Sequence, residues 1–388
     1  MKACGIVVEY NPLHNGHLYH IKKAKELTNC DILVAVMSPN WTQRGEPALI
    51  SKEYRVKAAL NNGVDLIVEL PYLLAVNSAD IFASKSVEIL SLLKVNDMVF
   101  GSETGDTITF NEKYFNYGFS YPRVDELIVD FLEQGYGYPK ARSMALKIVN
   151  DYYLETPNDI LATAYVDAIR KNNYPINYHT IKRTNSYHDK EITSNITSAS
   201  ALRNALKSNQ DIKGLTPMDD ILTKVDLHYL EDYFSLLRYK LLSSTLEDLQ
   251  SIHLVEEGIE SLFIKKIEEA SNMQEFIKLC TSKRYSGARI TRIICHILNN
   301  TKKDLATKYI KGKIPFIRIL GFNNNGRQYL SYIRKDVEVP LYSRFQGNKN
   351  DLLKSERQVT AIYHSNLNQK EYIKELEKEI SIYPIIQE

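Results

Sequence analysis

The chain opens on an apolar run at residues 3–8 that Asn11 and Pro12 stop abruptly, after which Leu18, Ile21, Ala24 and Leu27 recur every three positions. An apolar run without alternation fills a strand buried on both faces, as in a parallel sheet, whereas a recurrence of three to four follows one face of a helix. A strand, a tight turn and a helix are therefore consecutive, and His14, Asn15, Gly16 and His17 occupy the junction. The first N–H groups of a helix have no partner inside it and carry partial positive charge, so an anion placed there is favoured before any side chain acts. Gly16 lets such a ligand approach the backbone. His14 and His17, three apart at the helix start, can project to one side and donate ring N–H bonds to phosphoryl oxygens as charge develops in a transition state.

The pattern repeats. Residues 31–37 and 64–70 read as further buried strands, and Asp97 to Phe100 leads into Gly101. Helices are predicted from Ser51 to about Asn62 with Gly63 as the stop, from about Ser78 to Lys94, from Tyr138 to Tyr152, and from a cap at Asn158 through Asn172. Residues 176–183, ending in Arg183, alternate toward a strand. Regular alternation of strand and helix implies a Rossmann-like, doubly wound parallel α/β sheet with right-handed crossovers, so the strand ends line one rim and Gly101 stands near the His14 turn. The loop at residues 38–47 lies on that rim, with Trp41 as a stacking plane and Arg44 as a fork of donors for phosphate or carboxylate. A second motif, residues 197–203, opens a helix with hydroxyls, and its Ser198, Ser200 and Arg203 are suited to a β- or γ-phosphate.

At 388 residues, 44% hydrophobic and 25% charged, the chain is long enough for two or three globular domains. No apolar stretch of about 18 residues could span a bilayer, and with a core strand read from the start of the sequence no secretory segment is expected. Cys4, Cys30, Cys280 and Cys295 have no metal-ligand spacing and are expected as reduced thiols of a cytoplasmic protein. The charge, +2 overall, is unevenly spread. Residues 283–335 hold thirteen Lys or Arg against Asp304 alone, with Tyr285, Tyr309, Phe322, Tyr329 and Tyr332 interleaved, whereas residues 247–275 are acidic. Cations among aromatic planes suit the phosphates and unstacked bases of an RNA loop, with Lys283, Arg284, Arg289 and Arg292 as the candidate contacts. Beyond Pro217 the pattern is mostly helical, with helices predicted at 219–242, 255–269 and 291–298 and an edge strand at 337–342.

The strings at residues 5–17, 43–48, 100–103, 157–161 and 181–183, and later 187–189, 257–260, 282–285 and 320–323, are similar to the bacterial tRNA(Met) cytidine acetate ligase family, of the nucleotidyltransferase superfamily that shares the HIGH signature. The likeness covers nearly the whole chain. Pro39 stands where a glycine is expected, and residues 195–200 are a looser form of the hydroxyl motif. The resemblance implies a catalytic ATP-binding domain at residues 1–213 and a helical, basic tRNA-binding domain at 214–388. It implies acetyl-adenylate formation from acetate and ATP, and acetyl transfer to N4 of the wobble cytidine of elongator tRNA(Met). It further implies that Val7, Val8, Glu9, Tyr10, Asn11, Pro12, Leu13, His14, Asn15, Gly16, His17, Leu18, Tyr19 and His20, with Gly101, Asn158 and Arg183, contact ATP.

Two anions about 4 Å apart repel by roughly 4 kcal/mol at an effective dielectric of 20, so acetate needs help to approach a triphosphate. The helix start, His14, His17, Arg183 and Mg²⁺ are the expected sources of compensating charge, the metal being held largely by phosphate and water. His188 beside Asp189 is a candidate base for the N4 proton. Two other readings remain: a small-molecule adenylyltransferase using the same turn, and a non-catalytic RNA-binding protein.

Overall fold

The computed structural model describes residues 1–115, 121–150, 154, 156–183, 197–344 and 350–388. Strands β1 (Ala3–Val8), β2 (Ile32–Met37), β3 (Leu66–Glu69), β4 (Asp97–Ser102), β5 (Asn177–Lys182), β6 (Ile317–Phe322), β7 (Leu341–Tyr342) and β8 (Ile385–Ile386) form one sheet. Its order is β5-β4-β1-β2-β3-β6-β7, with β8 also on β6. Neighbours from β5 to β3 are parallel. The chain winds outward from β1 through β2 to β3, then returns to lay β4 on the other side of β1. That reversal is the place where open α/β sheets leave a crevice at the carboxyl ends of their strands.

Alternate residues of the central strands enter different cores. Ala3, Val34, Val36, Leu66 and Val68 join one apolar cluster, while Cys4, Ile6, Leu33, Ala35 and Ile67 join a second. Helices cover both faces, as the apolar runs require. The first cluster reaches Tyr363, so helices late in the chain pack on a sheet begun at residue 3.

Several predicted elements lie close to their expected bounds: Asn15–Thr28, Lys52–Asn61, Ala79–Leu92, Tyr138–Asn150 and Pro157–Lys171. The expected helix at 219–242 is instead Asp219–Leu222, a 3-10 turn at Leu230–Tyr233, and Phe234–Ser243. Between them the His228 N–H donates to the Leu49 carbonyl (2.8 Å), which a continuous helix would forbid. Strand β6 is antiparallel to β3 and is absent from the sequence reading, because Arg318 makes it resemble part of the basic stretch. Arg318 is buried, not on an RNA-facing surface. Its Nη1 lies 3.0 Å from Glu69, and it also meets Glu379, while the Lys52 ammonium lies 2.5 Å from Glu69 and 2.8 Å from Glu379. This closed set of charges ties β3, β6 and the helices Lys52–Asn61 and Gln369–Ser381 together. No helix among the described residues is long and apolar enough to cross a membrane.

Candidate active site

Both histidines of the turn face inward at the start of the helix Asn15–Thr28, at the end of β1 where the winding reverses. His14 is the N-cap residue, in an extended conformation. Its Nδ1 accepts from the Gly16 N–H (3.1 Å), and the Nδ1 of His17 accepts from the His14 N–H (3.3 Å). A capping box ordinarily needs a hydroxyl and a carboxylate or amide, and here two imidazoles perform both halves. The consequence is chemical. A ring nitrogen that accepts from a backbone N–H carries no proton, so each neutral ring must carry its proton on Nε2. The rings stack at 3.8 Å between centroids, and Tyr10 meets His17 edge-on at 5.0 Å.

Burial, followed by the charges of Arg183 and Arg203, pushes His14 down to about 3, and burial, then His14 and Arg183, holds His17 well below the usual imidazole range. The pair is therefore neutral across physiological pH. This corrects the expectation that they supply compensating cations: they supply fixed N–H donors, and the positive charge comes from arginine and the helix end. His20 lies one turn on, its Nε2 3.2 Å from the Val99 carbonyl, and burial lowers it to about 4.

Gly101, on β4, and Arg183, just past the end of the neighbouring β5, sit beside this turn. A methyl group on Gly101 would lie 3.3 Å from Cγ of Arg183, so glycine leaves the arginine its path across the strand end. Arg183 follows β5, and its own N–H donates to the Ser102 carbonyl (3.0 Å). Its Nη1 lies 3.5 Å from the side-chain amide oxygen (Oδ1) of Asn158, and its buried Nε meets no acceptor among the described residues. Asn158 was expected to cap its helix, but Thr156 occupies that position and the Asn158 amide donates to Glu103. Glu103 in turn accepts from the Asp159 N–H (3.1 Å). The Asp159 carboxylate accepts from Ser102, the Glu103 N–H, Thr104 and Tyr114. Glu103 and Asp159 were not singled out as functional residues. Only their contacts show that they aim Asn158 and Arg183.

The remaining residues of the first turn divide between support and surface. Val8 and Leu13 are buried, Val7 is half-buried, and the Tyr10 hydroxyl is buried without a partner among the described residues. The Asn11 carboxamide accepts from Leu49 N–H (2.6 Å), Pro12 follows it, and Asn15 donates to the Gly214 carbonyl (2.9 Å). Leu18 packs against the core, while Tyr19 is exposed with the Lys23 ammonium 5.9 Å from its ring. Glu9 accepts from the Gln43 N–H (2.7 Å), and its burial raises its carboxyl.

In the second motif Ser198 caps the helix Ala199–Lys207 by accepting from Ala201 N–H (3.0 Å). Arg203 donates to the Asn11 carbonyl (2.9 Å), to Glu46 (3.3 Å) and to Ser200 (3.3 Å), so it braces the first turn from the side. Thr216 does likewise by donating to the Leu13 carbonyl (2.5 Å). Residues 187–189, with His188 and Asp189, lie outside the described residues.

Two expectations are overturned. Trp41 is no stacking plane, since it is fully buried against Tyr233 (5.1 Å) and Tyr363 (6.3 Å). Its loop is instead held by the buried Arg55, whose guanidinium donates to the carbonyls of Glu9, Ser38, Pro39 and Ile50. Tyr285, Tyr309 and Tyr329 are buried too, with their hydroxyls bonded to Glu256, Asn350 and Leu93: Tyr309 and Tyr329 lie on the inward faces of their helices, and Tyr285 turns inward from the bend before the helix Gly287–Leu298. Of the five aromatics in the basic stretch, Tyr332 is exposed. Arg284 pairs with Glu257 at 2.5 Å, and Lys283 lies 4.5 Å over Tyr136.

The model of the HIGH nucleotidyl transferase family matches residues 1–379. The chain is 36% identical to the tRNA(Met) cytidine acetate ligase of Oceanobacillus iheyensis, over 98% of this chain and 100% of that one. The chain belongs to this family. It is also 40% identical to the Bacillus subtilis protein of the same name, over 94% and 92% of the two chains. Among solved structures it is similar to Thermotoga maritima TmcAL, with a TM-score of 0.89, 30% identity and coverage of 100% and 99%. The same protein bound with alpha-thio ATP matches at a TM-score of 0.87 over the same shares.

Proposed function

We propose that this family member ligates acetate to RNA in two steps. An acetate oxygen attacks the α-phosphorus of ATP, forming acetyl-adenylate and releasing pyrophosphate. The N4 amine of the wobble cytidine of elongator tRNA(Met) then attacks the acetyl carbon. The bond to AMP breaks with its electron pair on AMP, N4 loses a proton, and N4-acetylcytidine results. A cytoplasmic location follows from that substrate.

One observation carries the reading: two imidazoles locked as Nε2–H donors at the helix start where the sheet winding reverses. Donors fixed in advance stabilise charge growing on the α-phosphate without reorganising as it forms. Arg183, oriented by Asn158, supplies the cation on the flank. Ser198, Ser200 and Arg203 stand behind the same turn, where the leaving pyrophosphate would depart. Among the described residues no group of three or more His, Cys, Asp or Glu is gathered for a metal. A magnesium ion would accordingly be held by the triphosphate and water, with its charge easing the approach of acetate. Residues 1–213 handle the nucleotide and residues 214–388 the RNA, although β6, β7 and β8 of the later part complete the sheet.

The test is exchange of labelled pyrophosphate into ATP, with and without acetate, followed by transfer of labelled acetate to tRNA. Acetate-dependent exchange and acetate-labelled cytidine are expected. Exchange with a nucleotide-like acceptor in place of acetate would select the adenylyltransferase, and no turnover would select the RNA-binding protein.

A further inference from the structure

Glu9 directly follows β1 and stands five residues before His14, which puts a carboxyl group on the nucleotide rim. Its Oε1 accepts from the Gln43 N–H (2.7 Å) and from the Ser38 hydroxyl (3.4 Å), both in the segment after β2. Its Oε2 takes no hydrogen bond among the described residues. Arg44, Arg203 and Arg55 bring positive charge toward this carboxylate, and Tyr165 of the helix Pro157–Lys171 lies within its field. Arg55 donates to the carbonyls of Glu9, Ser38, Pro39 and Ile50, and Arg203 to the Asn11 carbonyl, Glu46 and Ser200, so neither closes on the Glu9 carboxylate as an ion pair. Burial, against the Gln43 N–H and the three guanidiniums, still holds the carboxyl above the ordinary glutamate range. Arg203 also acts on His14, so one guanidinium stands within reach of both the carboxylate and the imidazole pair.

A carboxylate in that position hinders the first step. Acetate attacks as an anion, and a further negative charge nearby raises the cost of its approach. Acetate also brings no proton to remove, so adenylate formation gives Glu9 nothing to accept. The second step does release a proton. As N4 adds to the acetyl carbon it becomes cationic and acidic, and a carboxylate whose affinity for protons has been raised is better matched to take that proton than an ordinary one. The acetyl carbon of the adenylate is one oxygen removed from the α-phosphorus served by His14 and His17, so a base beside His14 is beside the reacting carbonyl. We propose that Glu9 is the general base of acetyl transfer: its Oε2 accepts the N4 proton as the N4–C bond forms and the C–O bond to AMP breaks with its electron pair on AMP. The proton then passes to water, which restores the carboxylate. Ser38 and Gln43 are positioning residues that hold Oε1 and leave Oε2 to the substrate. The inference rests on the function proposed above and names the acceptor of the proton, a role for which the sequence offers His188.

The experiment uses the full chain and reads the two steps apart: acetate-dependent pyrophosphate exchange without tRNA, and single-turnover transfer from supplied acetyl-adenylate to tRNA(Met). Glu9→Gln keeps the size of the side chain and an oxygen for the Gln43 N–H, but it cannot take a proton. It is expected to slow transfer by about 10²- to 10⁴-fold, the range of a positioned base, and exchange by less than about tenfold. In the wild-type protein the transfer rate should rise with pH as Glu9 ionises, with a midpoint above the ordinary glutamate range, and that rise should vanish in Glu9→Gln. A merely structural role would lower the rate and leave the rise in place. Equal losses in both steps would assign Glu9 to adenylate formation and overturn the proposal. A wild-type transfer rate and pH rise in Glu9→Gln would overturn it as well, as would loss of the rise in His188→Ala instead. Should Glu9→Gln fail to fold, Glu9→Asp carries the test: the shorter carboxylate should lower the transfer rate and keep the rise, and loss of the rise would count against Glu9. If the wild-type protein shows no acetate-dependent exchange and acetylates no tRNA, the functional reading itself falls. If it does both and Glu9→Gln matches it, this inference alone falls.

Discussion

Two regions of this molecule bury charged or polar groups in opposite ways. Around β3 and β6, Lys52, Arg318, Glu69 and Glu379 satisfy one another, and Glu356 accepts from Tyr72 N–H (2.6 Å). That set is closed, and its business is to fasten the last helices to the sheet. At the rim of β1, β4 and β5, the donors are neutral imidazoles and an arginine with a buried Nε that meets no acceptor among the described residues. Their partners toward the protein are used up in fixing orientation: Nδ1 of each histidine on backbone N–H, Asn158 on Glu103. The difference teaches where to look for chemistry. Buried polarity that closes on itself holds the fold, and buried polarity that leaves one face open awaits a ligand.

The contrast can be broken most sharply at the rim. Replacing both His14 and His17 by Ala should slow acetate-dependent pyrophosphate exchange by about 10³-fold, since one preorganised donor is worth 10²–10³ and the pair acts as a unit. Circular dichroism should stay close to wild type, and stability should fall by only about 1–2 kcal/mol through loss of the imidazole cap. The opposite pattern is expected at the closed set. Arg318→Met should cost about 3–5 kcal/mol in urea denaturation, because it leaves two buried carboxylates to share the single Lys52 ammonium, and a loss under about 1 kcal/mol would show that the set is not what fastens the C-terminal helices.

Acid should sharpen the comparison further. His14 and His20 titrate near 3 and 4 in the folded protein against 6.5 unfolded, with burial the first cause. The unfolded chain therefore binds more protons between those values, and stability must fall as pH drops below about 6.5. Each such histidine contributes about 1–2 kcal/mol of that loss between pH 6.5 and 5, and urea midpoints at those two values measure it. The smallest effect belongs to the exposed pair Arg284 and Glu257. Arg284→Ala should shift stability by less than about 1 kcal/mol, as exposed ion pairs do, and a larger loss would mark that pair as part of the framework.

The parallel half of the fold was legible because continuous apolar runs such as residues 32–37 admit few alternatives to a buried strand, and because His14 and Gly16 mark a strand-to-helix turn. Strand β6 was not legible, since Arg318 reads as surface until Glu69 and Glu379 are found beside it, at separations of 249 and 61 residues. The same limit applies to side-chain roles. Trp41 and Tyr285 look like exposed planes in a polar sequence, and only the packing of Tyr233 or the acceptor at Glu256 turns them inward. His14 and His17 were identified by position, yet their protonation was misread, because the N–H groups that fix it belong to the folded backbone.

That protonation is the centre of the account, and nitrogen-15 NMR of histidine-labelled protein reads it directly. At pH 7, signals assigned through the His14→Ala and His17→Ala variants should show both rings neutral with the proton on Nε2. Imidazolium signals, or protons on Nδ1, would contradict it.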